Sequence, residues 1–181
     1  MFITHGAAWL QMKTEGELRA RSAAIGTLTA LVCAGLFLVA GVWLMFGVDG
    51  YQVTSVIDTQ GHNATTAKLV EASAGGWMAN YARFPALWLL PLLGIAGFVL
   101  CSLTMKAGRH VLAFVSSSLA MAMVIVTTGV TMFPFVMPSS LNPAHSLTMW
   151  DATASYMTLM IMFVVVCIFV PLVLAYTAWS Y

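Results

Sequence analysis

The sequence predicts an all-α fold, a polytopic membrane helical bundle, and three observations carry that prediction. Hydrophobic residues fill 61% of the 181 positions and charged residues only 7%. A soluble domain needs about 25% charged residues to stay solvated. Mean hydropathy is correspondingly high, at +0.93. Finally, the seven Lys and Arg and six Asp and Glu gather in clusters, leaving uncharged runs at 22–48, 84–105, 110–150 and 152–181. A net charge near +1 with no basic run gives nucleic acid nothing to bind.

A spanning helix needs about 20 apolar residues, so the runs 22–48, 84–105 and 152–181 supply one span each. The run after Arg109 is longer than one span. It supplies a helix over 110–132 and then the segment MFPFVMPSS. Four full spans result. Lys13, Arg19 and Arg21 precede the first, and Lys106 and Arg109 fill the turn between the second and third. Positive charge stays on the cytoplasmic side, which puts loops 13–21 and 106–109 inside. Loops 49–83 and 133–150 then lie outside, on the periplasmic face.

The first twelve residues, MFITHGAAWLQM, are apolar but too short to span. They lack the basic start and small-residue cleavage site of a signal peptide. Two readings stay open on the residues alone: an interfacial anchor, or the last turns of an incoming helix ending at KTEGELRAR.

Bilayer helices pack through small residues spaced four apart. Gly26, Ala30 and Ala34 form such a stripe in the first span; Ser116 and Ala120, with Ser118 and Ala122 beside them, form one in the third. The serine hydroxyls are expected to bond back to their own helix. Pro85 suits the first turn of the second span, while Pro91 and Pro171 each remove a backbone bond and predict kinks. In the outer loop, residues 65–74 are read as a short amphipathic helix ended by Gly75-Gly76. Trp77 and Tyr81 follow as interfacial anchors. The Asn63 sequon carries no weight.

Chemistry is sparse. No charge falls in the middle of a span, so the usual mark of a proton or ion pathway is missing. His62 and His145 lie in outer loops, His110 at a cytoplasmic helix end and His5 near the inner face. None sits at mid-depth to ligate a haem. Cys33, Cys101 and Cys167 fall in separate apolar runs with no CxxC, and read as small core residues. The thirteen methionines read as filler. No catalytic residue and no metal site is expected in this chain, and no cofactor is expected to be bound by it alone. In SLTMWDATAS, Thr148 and Asp151 have capping-box spacing, which would put Asp151 at the positive end of the last helix. The alternative is a proton-handling carboxylate.

The stretches FPFVMPSS, SLTMWDATAS and VPLVLAYTAWSY, with AAWLQMKTEGELRARS and AGVWLMFGVDGYQV before them, closely resemble subunit II of the cytochrome bd quinol oxidases. The resemblance covers nearly the whole chain and is least distinctive over 54–77. It implies a place in the respiratory chain, in an enzyme that oxidises ubiquinol or menaquinol, reduces dioxygen to water and generates a proton-motive force. The b and d haems and the quinol-oxidising loop would belong to the partner, subunit I, with subunit II packed against it. Quinone binding in this half stays open.

Family members are about twice this length, and the match is to their C-terminal half. The resemblance therefore implies that residues 1–12 end an incoming helix and that 13–181 form a four-helix bundle. An N-terminal half of subunit II, with acidic and histidine residues proposed for proton entry, would be a further partner if separately supplied. Other function classes are a stand-alone membrane assembly factor, or a small transporter or channel subunit; the latter predicts a polar position at mid-depth. For MFPFVMPSS two readings stay open: a helix-ending turn at the outer interface, or an outer plug packed against a partner subunit, with Phe133 and Phe135 buried.

Overall fold

The computed structural model describes residues 1–55 and 68–180. Among the described residues four helices are long and apolar enough to cross a membrane, and together with a short N-terminal helix they account for most of the chain. In order these are α1 (Phe2–Lys13), α2 (Gly16–Phe46), α4 (Leu89–Lys106), α5 (His110–Met132) and α7 (Tyr156–Ser180). A 3-10 turn, Pro85–Trp88, leads into α4. At about 1.5 Å per residue, α5 is about 35 Å long, enough for the hydrocarbon core. The first span starts six residues earlier than its uncharged run. It is extended by Gly16–Arg21, whose Arg21–Glu17 pair at i, i+4 supports a solvated first turn. The last span starts later than its run, at Tyr156.

Small residues set the packing. Gly26, Ala30 and Ala34 are all buried, and a Cβ on Gly26 would sit 2.6 Å from Met105 Sδ and 2.9 Å from Ala7 Cβ. A Cβ on Gly97 would lie 3.0 to 3.2 Å from Ala120, so α4 and α5 meet almost backbone to backbone. Ser116 and Ala120 are buried, as is Ser117, whereas Ser118 is half-buried and Ala122 exposed. The hydroxyls of Ser116, Ser117 and Ser118 donate to the Ala113 and Phe114 carbonyls of their own helix, as expected. Between α4 and α5 the chain turns at Gly108, whose φ of +70° is open to glycine. There the Gly108 and Arg109 N–H groups donate to the Met105 and Thr104 carbonyls and close α4.

The short α1 packs lengthwise against α2 and α5, burying Thr4, Ala7, Ala8 and Gln11. Every residue of α7, by contrast, is exposed, including Cys167, which the sequence reading placed in a core. Pro171 lies inside α7. Pro91 is the third residue of α4 and follows the 3-10 turn Pro85–Trp88 without a break, so it lies within the continuous helix Pro85–Lys106.

The connections at one end of the bundle are not simple loops. Strands β1 (Gly50–Val53) and β2 (Val70–Ser73) pair antiparallel, Gly50 opposite Ser73. This overturns the amphipathic helix expected over 65–74: Val70–Ser73 is extended because Gly50–Val53 supplies its ladder partners. Residues 65–67 of that expected helix, together with His62 and Asn63, lie outside the described residues. The chain then turns at Gly75, φ +71°, into a 3-10 turn (Gly76–Met78) and α3 (Ala79–Arg83). Strands β3 (Phe135–Met137) and β4 (Leu147–Thr148) form a second hairpin, followed by the four-residue α6 (Met149–Ala152).

Candidate functional site

MFPFVMPSS folds as the first strand of an ordered hairpin. Pro134 ends α5 and follows a cis peptide bond, and its carbonyl accepts from the Met149 N–H at 2.9 Å. Phe135 is buried, 5% exposed, against Tyr51 and Trp77, with ring centroids 6.2 Å from each. Phe133 does not share that fate. It is 50% exposed and lies edge-on to Trp150. Phe133 directly follows the last residue of α5 and precedes β3, so only Phe135 is placed by the strand pairing.

Trp77 and Tyr81, expected as interfacial anchors, face inward. Trp77 stacks on Tyr51 at 5.6 Å and Tyr81 on Trp88 at 5.0 Å. The Tyr81 hydroxyl lies 2.9 Å from the Thr131 hydroxyl and 3.3 Å from the Thr127 carbonyl. Asn80 Nδ2 donates to the Val130 and Phe133 carbonyls at 2.8 and 2.7 Å. Asn80 thereby satisfies the Val130 carbonyl, which the end of α5 leaves without a helical partner, and Tyr81 adds a bond one turn earlier.

Thr148 and Asp151 form the expected capping box, but on α6 rather than on the last span. Thr153 to Ser155 interrupt the helix between α6 and α7. The Asp151 Oδ2 atom accepts from the Thr148 N–H at 2.9 Å, from the Thr148 hydroxyl at 2.8 Å and from Lys68 Nζ at 2.5 Å. Both members of the ion pair are enclosed, with side-chain exposures of 3% for Lys68 and 2% for Asp151. Burial raises the carboxyl's proton affinity, but the Lys68 and Thr148 hydrogen bonds and the Lys68 charge outweigh it. The net result holds Asp151 below its ordinary 3.8. The sequence pattern contained the cap. It contained no sign of Lys68, which lies 83 residues earlier.

At the opposite end, α1 contributes polar contacts that span length did not suggest. His5 Nδ1 lies 2.9 Å from Ser117 Oγ, and its ring rests 4.7 Å from that of Phe114. Ser117 is seven residues into α5, about 10 Å from its start, so His5 meets α5 two turns along the helix. Gln11 Nε2 donates to the Met105 carbonyl at 3.0 Å, and Thr4 reaches Thr29 at 3.1 Å. His5 is half-buried, with Ser117 on Nδ1 and Phe114 against the ring. Among the described residues no three His, Cys, Asp or Glu side chains converge as a metal site.

Apolar helices of spanning length, joined by tight turns at one end and paired hairpins at the other, define a multi-pass helical membrane protein. The chain belongs to the cytochrome bd terminal oxidase subunit II family, whose profile matches residues 1–181. It is 47% identical to the cytochrome bd-I ubiquinol oxidase subunit 2 of Escherichia coli (strain K12) over all 181 residues, which cover 48% of that relative. The probable cytochrome oxidase subunit 2 of Haemophilus influenzae is 45% identical, with the same coverage. The chain thus spans about half the length of the curated relatives it matches.

Proposed function

We infer that the chain is a C-terminal portion of the non-haem subunit of a bd-type quinol:oxygen oxidoreductase, contributing helix packing rather than redox chemistry. The observation that carries this reading is the unbroken family match from residue 1 to residue 181, at 47% identity to a ubiquinol oxidase subunit. The exposed faces suit it. α7 presents apolar side chains all round, the pattern of a helix meant for lipid or for other apolar helices. The partner would be subunit I, carrying the b and d haems that supply electron transfer to dioxygen, with an N-terminal half of subunit II if separately supplied. Residues 1–12 are read as the end of an incoming helix and 13–181 as a bundle of four spans. In the bacterial inner membrane, loops 13–21 and 106–109 face the cytoplasm by the positive-inside rule. The two hairpins then face the periplasm.

Affinity purification of the tagged chain, co-expressed with a subunit I and an N-terminal half of subunit II, tests the reading. Stoichiometric recovery of a haem-d protein is expected, with loss of the haem d absorbance when this chain is omitted. An unchanged haem d spectrum without the chain overturns it. Substoichiometric, transient recovery favours an assembly factor instead.

A further inference from the structure

The Lys68–Asp151 pair does more than a cap requires. A capping carboxylate at a helix N-terminus functions in solvent, with no cation and no burial. Here three donors converge on Oδ2, Oδ1 is buried with no partner among the described residues, and the cation arrives from the segment leading into β2. Enclosing two charges costs desolvation that their attraction only partly offsets, and the best-attested return on such a pair is a defined geometry. The geometry at issue lies next door. α7 begins four residues after Ala152, at Tyr156, and all of its residues are exposed. Within this chain α7 joins the bundle through Thr153–Ser155 and α6. Met149 bonds to Pro134 and Trp150 meets Phe133, both from the segment between α5 and β3. Asp151 carries the charged tie to the β1–β2 hairpin.

We propose that Lys68 and Asp151 form a latch that clamps α6 to the β1–β2 hairpin and thereby fixes the direction in which the last span leaves the hairpin end of the bundle. The latch does not rest on the oxidase reading; it follows from the enclosure of the pair and the exposure of α7.

Spin labels at Phe46→Cys, the end of α2, and Tyr156→Cys, the start of α7, report on it; both positions are exposed. Cys33, Cys101 and Cys167 are first replaced by Ala, and the full chain is measured in phosphatidylethanolamine–phosphatidylglycerol vesicles by pulsed electron resonance. One narrow distance distribution is expected for the parent and for Lys68→Arg. Lys68→Met and Asp151→Asn each strand one buried charge, and the membrane-inserted yield should fall several-fold. The double variant Lys68→Met/Asp151→Asn removes both charges while keeping an acceptor for the cap. It should recover most of that yield and show a distance distribution at least twice as wide. A double variant as narrow as the parent overturns the latch, and so does a double variant whose yield is no better than those of the singles. No oxidase activity enters the measurement, so its failure is distinct from failure of the proposed function.

Discussion

Phe133 and Phe135 are two residues apart and of identical chemistry, yet only one is a core residue. Phe135 completes an aromatic cluster with Tyr51 and Trp77, while half of Phe133 remains exposed. Truncating a buried Phe to Ala removes its transfer free energy and leaves a cavity, at a cost of about 3–5 kcal/mol. Phe135→Ala should therefore lower the thermal unfolding temperature in detergent markedly, and Phe133→Ala by less than half as much. Equal shifts would contradict the difference in burial. The sequence reading left a helix-ending turn and a plug with both rings buried as alternatives, because an uncharged proline-broken segment carries no local signal of which side chains turn inward. That signal needed the β4 partner, which sets the pairing of Phe135 with Thr148.

At the scale of elements, the α4–α5 contact depends on Gly97. The built Cβ position is 3.1 Å from the Ala120 Cα and 3.2 Å from its nitrogen, and backbone cannot yield as a flexible side chain would. Gly97→Val should separate the two helices and sharply increase proteolysis of the turn at Ala107–Arg109, read by limited digestion in detergent. Gly35→Val, where nothing lies within 4 Å, serves as the silent control. The spans and the stripe Gly26–Ala30–Ala34 were legible beforehand because bilayer insertion and close helix packing are written in local composition and spacing. Residues 70–73 were misread as helix. Four residues of mixed polarity fit either period, and the ladder partner that decides between them lies about twenty positions earlier.

Across the whole molecule, five of the seven Lys and Arg residues lie at the end opposite the hairpins. Lys13, Arg19, Arg21, Lys106 and Arg109 flank the α1–α2 and α4–α5 turns, while β1–β2 and β3–β4 share the other end. Leu141, 97% exposed at the tip of the second hairpin, is a natural reporter of sidedness. In spheroplasts of cells carrying a cysteine-free parent, Leu141→Cys should react with a membrane-impermeant maleimide added outside. Ala107→Cys should react only after the membrane is opened. The reverse pattern would invert the topology.

The amino-acid sequence alone determined the class of the protein, the number of long spans, and the small-residue faces on which they pack. Each of these follows from hydrophobicity and spacing within a single helix or a short turn. Tertiary structure alone decided which side chains enclose one another: Tyr51 with Trp77 and Phe135, His5 with Ser117, Lys68 with Asp151. It also moved the Thr148–Asp151 cap from the last span to a four-residue helix of its own. The physical reason is range. Transfer into a bilayer is decided residue by residue along a stretch of about twenty. A hydrogen bond or ion pair across 83 positions exists only once folding has brought its two ends to the same place.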